Sequence, residues 1–129
     1  MTVKSHKDLT LWKESMNLVE DIYSISKNFP KEEMYGLTSQ MRRCAVSIPS
    51  NIAEGAGRKG AKEFARFLYI ALGSLSELET QFEISIRLKY ISNEVDTQSI
   101  FEKIIYIRRM LAKLIKSITK TAWHNSISS

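Results

Sequence analysis

The sequence predicts an all-α protein, an up-down-up-down antiparallel four-helix bundle. Three observations carry this. Apolar residues recur at steps of three and four over four long segments. No segment alternates apolar and polar residues for long enough to read as a strand. The links between segments, at about residues 29–36, 57–60 and 90–93, are short, and short links lay consecutive helices side by side in opposite directions.

The first helix is expected over about residues 11–28. Leu11, Leu18, Ile22, Ile25 and Phe29 form its stripe, with Ser15 at the one weak position, Thr10 as N-cap and Pro30 as the stop. The second, about 37–56, shows Leu37, Met41, Cys44, Ile48 and Ile52 and leaves through Gly55-Ala56-Gly57. Pro49 lies inside that stripe. It removes one backbone hydrogen bond and crowds the Ala45 carbonyl, so a kink is expected in the second helix. The third, about 61–89, follows Gly60 and carries Phe64, Leu68, Ala71, Leu75, Leu78, Phe82 and Ile86. The fourth, about 93–121, carries Ile100, Ile104, Ile107, Leu111, Leu114 and Ile118 at nearly heptad spacing. The polar tail 122–129 is expected to fray.

The 129 residues, 43% apolar and 26% charged, suit one domain, 1–129, with a core large enough to need no staple. The single Cys44 excludes an internal disulfide and a cysteine-cluster zinc site. Two histidines, His6 and His124, supply a metal or catalytic centre poorly, so no cofactor, no metal and no enzyme activity are expected. No apolar run reaches the ~18 residues of a membrane span, and Met1–Lys7 lacks the apolar stretch of a signal peptide. A cytoplasmic protein that does not engage a membrane is the expectation.

The charge is uneven. The chain has 19 basic and 14 acidic side chains, a net +5. Residues 101–129 hold six basic groups against Glu102 alone. Arg109, Lys113, Lys116 and Lys120 fall at steps of four, three and four, so they share one helix face, a cationic ridge about 16 Å long. Lys103 and Arg108 flank it, and proximity to the helix C-terminus accounts for part of this charge. Arg42, Arg43, Arg58 and Lys59 add a second basic group, and all eight are candidate nucleic-acid contacts.

Around Pro49 the polar residues Ser47, Asn51, Glu54 and Arg58, with Ser74 and Glu77 of the third helix, are expected to form one structural network. Gly55-Ala56-Gly57-Arg58-Lys59-Gly60 resembles a phosphate loop only superficially, lacking the strand before it and the Lys-Ser/Thr pair. Phe67 and Ile70 in the third helix, and Phe101, Ile105, Ala112 and Ile115 in the fourth, widen the apolar stripes. They serve either a wide core or a subunit interface.

A family resemblance rests on Asp8-Leu9 with Trp12, Phe29-Pro30, Tyr35-Gly36-Leu37, Gln40, Arg42-Arg43 and Ser47-Ile48. Its most specific part is Asn51-Ile52-Ala53-Glu54-Gly55, Gly57-Arg58, Glu63-Phe64 and Phe67-Leu68, followed by Ala71, Gly73-Ser74 and Glu77-Leu78-Glu79. With these residues the chain resembles the 23S ribosomal RNA intervening-sequence proteins over about residues 6–118. The resemblance implies a left-handed four-helix bundle, a homopentameric ring and an association with ribosomal RNA genes. It carries over no catalytic residues. The resulting expectation is a non-enzymatic oligomer that binds RNA or other nucleic acid electrostatically. The alternative is an interaction scaffold for a polymerase- or ribosome-associated protein partner.

Overall fold

The structure, a computed structural model, describes residues 5–128, with side chains as far as residue 120 apart from Asp8. Four helices and no strand occur among the described residues: α1 (Thr10–Ser26), α2 (Leu37–Ala56), α3 (Ala61–Arg87) and α4 (Glu94–Ser128). Short 3-10 turns at His6–Asp8 and Lys31–Glu33 precede α1 and α2. Each helix packs on its neighbours in chain order, and α4 closes the set against α1.

The cross-contacts fix directions. Ser47 of α2 meets Ser74 of α3, while Met41, nearer the start of α2, meets Ser85, nearer the end of α3. Between α3 and α4, Glu79 meets Arg108 and Phe82 meets Phe101. Between α4 and α1, Lys103 meets Asp21, and Leu11 shares a groove with Leu114. Residue numbers rise on one helix as they fall on the next, so neighbouring helices run antiparallel.

The periodic stripes form the core. Leu18, Ile22, Met41, Ile48, Ile52, Leu68, Leu75, Leu78, Phe82, Ile104 and Ile107 are buried, and so are Ile100, Leu111, Leu114 and Ile118. Ser15 is buried too, its hydroxyl satisfied by the Leu11 carbonyl at 2.8 Å, so a polar residue occupies a core position without an orphan donor. On α2 the stripe leans toward Ala45, leaving Cys44 half-buried. Of the six residues that widen the stripes, Phe67 and Ile115 are buried and Phe101 packs edge-on against Phe82 at 4.9 Å. Ile70 and Ile105 remain 41% and 50% exposed, and Ala112 is exposed.

The helix ends differ from the sequence expectation in instructive ways. Leu9, not Thr10, holds the N-cap position of α1 and makes no side-chain cap. α2 keeps the expected bounds, 37–56, with Pro49 buried inside it. α3 stops at Arg87 because Lys89 adopts φ 64°. Lys89 N–H then donates to Ile86 O and Tyr90 N–H to Ser85 O, the paired bonds of a Schellman exit made without glycine. α4 starts behind Asn93, whose Oδ1 accepts from the N–H groups of Val95 and Asp96. It continues as helix to Ser128 instead of ending near 121, since Thr121–Ser128 contains neither proline nor glycine to stop it. The side chains of that tail lie outside the described residues.

α2 and α3 approach closely at Gly55. A Cβ there would lie 2.9 Å from Phe67 Cβ and 3.2 Å from the Phe64 carbonyl, backbone that cannot swing aside. Gly55→Val is expected to pry α2 from α3 and destabilise the protein by about 2 kcal/mol, overpacking outweighing the better helix propensity of valine. Urea unfolding followed by circular dichroism measures it; a midpoint within error of the parent would show that the α2–α3 spacing is looser than this.

Candidate nucleic-acid interface

Arg109, Lys113, Lys116 and Lys120 all stand exposed on the outer face of α4, opposite the core residues Ile107, Leu111, Leu114 and Ile118. None of the four has an ion-pair partner among the described residues. Their flanking cations behave differently. Lys103 pairs with Asp21 of α1, and Arg108 pairs with Glu79 of α3 at 2.6 Å. These two strap α4 to its neighbours and are not free for a ligand. Because α4 runs to Ser128, the ridge ends about two turns before the helix does. The dipole acts mainly within the last turn, so it does not account for this charge.

The other four candidate cations split. Arg42 caps the end of α1: its Nε donates to Ser26 Oγ at 2.9 Å, its Nη2 donates to the Tyr23 carbonyl at 3.4 Å, and its guanidinium lies 4.7 Å from the Tyr23 ring centroid. Arg42 is thus a structural residue first. Arg43, one position on, is exposed. At the α2–α3 turn, Arg58 pairs with Glu54 at 3.0 Å and stacks 5.2 Å from the Phe67 ring centroid. Arg66 approaches the same ring at 4.8 Å and pairs with Glu63. Lys59 is exposed beside Gly60, whose φ of 90° makes the turn into α3. The eight candidates therefore do not converge on one patch. Arg42 and Arg43 lie on α2, which is not a packing neighbour of α4 in the bundle.

A larger pattern emerges from the antiparallel packing. A cross-section through the bundle passes near residues 17, 48, 73 and 108, the level at which Ser47 meets Ser74. On the side holding residues 5–17, 48–72 and 108–120, eleven basic side chains face four acidic ones, a net +7. On the side holding 18–47 and 73–107, seven basic side chains face ten acidic ones, a net −3. The ridge and the α2–α3 turn with Arg58, Lys59, Lys62 and Arg66 share the positive half. This dipolar sorting is invisible in the linear sequence, where the charge looks concentrated only after residue 100.

The expected polar network divides in two. Ser47 Oγ and Ser74 Oγ are 2.8 Å apart, and Asn51 Nδ2 donates to Ser47 Oγ and to the Ser47 carbonyl. Those three residues form one cluster bridging α2 and α3. Glu54 and Arg58 form a separate, half-exposed pair on α2. Glu77 joins neither, accepting instead from Cys44 Sγ at 3.2 Å. Side chains three and four apart on a helix share a face, but their reach across to α3 depends on how α2 is rotated, which the spacing does not reveal.

Partial burial, and then the Glu77 carboxylate, push the Cys44 thiol up to about 11, against a weaker opposing pull from Gln81 and Arg43. Cys44 is a protonated, inert thiol at neutral pH. Its alkylation by iodoacetamide is expected to keep rising between pH 8 and 10 without a plateau, and Glu77→Gln is expected to move that rise to lower pH. The unfolded chain releases this proton near 9.0 and the folded one near 11, so the stability it contributes is complete below pH 9 and is lost as pH rises toward 11. A plateau below pH 9, read by mass spectrometry, would contradict this environment. Among the described residues, no group of three or more His, Cys, Asp or Glu side chains could hold a metal ion, and no helix is long and apolar enough to cross a membrane.

Comparison with known proteins places these features. A family model described as 23S rRNA-intervening sequence protein matches residues 7–113. Among solved structures, the chain is similar to a protein of unknown function from the S23 ribosomal protein family of Bacteroides thetaiotaomicron. The two are 26% identical with a TM-score of 0.73, over 83% of this chain and 99% of that one. No curated protein matches the chain.

Proposed function

The chain belongs to the 23S rRNA-intervening sequence protein family, and from that premise we propose that it is a non-enzymatic, self-associating protein that binds RNA through the positive half of the bundle. The observation that carries this reading is the α4 ridge: four exposed cations on one face without carboxylate partners among the described residues, within a half-bundle of net +7. Lysine and arginine held at fixed helical spacing on a packed scaffold displace counterions from a phosphate backbone, and the released ions drive binding. Such a surface reads phosphates and not base edges, so recognition is tolerant of sequence. Self-association, as the homopentameric ring implied by the family resemblance, multiplies the ridge by placing several copies on one polyanion. Ile70 and Ile105, half-exposed on α3 and α4, support an apolar contribution to that association. A cytoplasmic location suits this function.

Fluorescence anisotropy with a short single-stranded RNA, from about 50 to about 300 mM salt, tests the reading. Four neutralised phosphates per chain give a slope of about −3 in log affinity against log salt. Absence of binding at the lowest salt, or affinity indifferent to salt, overturns it. Light scattering on the same samples tests self-association, and a monomer at micromolar concentration removes that part.

A further inference from the structure

The second distinctive surface lies away from the ridge, in the negative half of the molecule. A groove of about 540 Å³ runs along the N-terminal half of α2, beside Tyr23 of α1 and Met34 of the segment before α2. Tyr23, Met34 and Val46 line it and are 40%, 55% and 40% exposed, three apolar side chains brought together in one groove. Arg42 and Arg43 line the same groove. Neither has a carboxylate within ion-pair distance among the described residues, although this half of the bundle carries ten acidic side chains. Arg42 is held flat by the Tyr23 ring and the Ser26 hydroxyl, both neutral. Its guanidinium is therefore fixed in place while its charge is left uncompensated.

We propose that this groove docks an acidic amphipathic helix of another protein, which lays its apolar face on Tyr23, Met34 and Val46 and its carboxylates against Arg42 and Arg43. The lining runs from Thr38 to Ser47, about 14 Å or two and a half helical turns, which is the length over which apolar anchors at i, i+3 or i+4, and i+7 repeat. Charge complementarity selects an acidic partner. Pre-ordering of Arg42 reduces the side-chain entropy lost when a carboxylate meets it. Met34 supplies an adaptable apolar contact. A phosphate backbone fits less well, since the groove offers it two cations beside three apolar side chains. The groove also lies on α1 and α2, so both it and the α4 ridge can be occupied together.

The test uses a panel of synthetic fluorescein-labelled helical peptides, each about three turns long, with Leu or Phe anchors and flanking Glu. Their controls are scrambled peptides and versions with Lys in place of Glu. Acidic amphipathic members are expected to bind the full chain with micromolar affinity and to shift amide resonances around Tyr23, Thr38 and Val46. Val46→Glu and Met34→Glu, both at exposed positions, are expected to weaken binding at least about tenfold while leaving the melt and RNA affinity unchanged. Equal binding of scrambled peptides, failure of every member to bind below about 100 µM, or competition between peptide and RNA overturns the proposal. So does dissociation of a self-associated form by Val46→Glu in light scattering, which would assign the groove to a second copy of the chain.

Discussion

Phe82→Ala is expected to destabilise the protein by about 3–5 kcal/mol, the largest effect of any single core truncation. Phe82 is fully buried on α3 and meets the Phe101 ring of α4 edge-on at 4.9 Å. Truncation removes the apolar area of the ring, leaves a cavity between helices that cannot fully collapse, and takes away the edge-to-face contact. For a domain of this size the melting temperature should fall by roughly 10–20 °C. Exposed Phe-to-Ala changes do not act this way, so thermal unfolding by circular dichroism decides the point. A drop of only a few degrees would mean that α3 and α4 are not packed as described.

The second large effect concerns binding. Replacing Arg109, Lys113, Lys116 and Lys120 together by glutamine should leave helicity and melting nearly unchanged, because all four are exposed and glutamine has a helix propensity close to theirs. RNA affinity near physiological salt should fall at least about a hundredfold, and the salt slope should shrink by about 3. The matched control neutralises Lys27, Lys31, Arg87 and Lys89, four exposed cations of the negative half. It removes the same net charge, so a general effect of charge would weaken binding equally. The ridge reading requires the control to change affinity by less than about threefold; equal losses from the two quadruple variants would sink it.

Much of the architecture was legible in the residues. The stripe Ile100, Ile104, Ile107, Leu111, Leu114 and Ile118 is buried from end to end. Gly60 and Gly57 flank the α2–α3 turn where they were expected, and Ser15 sits in the core as the weak member of its stripe. Less of the candidate site was legible. Arg42 read as a free cation, yet it caps α1; Arg58 read both as a candidate contact and as a partner of Glu54, and it does pair with Glu54, over the Phe67 ring. Asn93 before an acidic turn was a cap signal available in the sequence, whereas the exit at Lys89 was not, since lysine seldom adopts a positive φ.

By itself the sequence determined the four helices, their apolar faces and the ridge on α4, because each depends on the 3.6-residue period within one segment. Only the tertiary structure decided which charges remain available and where they gather. Antiparallel packing sets residues near 10, 60 and 115 in one half of the bundle and those near 25, 35 and 95 in the other. Electrostatic interaction follows distance in space, so this folding back separates positive from negative halves, straps Lys103 and Arg108 to neighbouring helices, and leaves the ridge facing water.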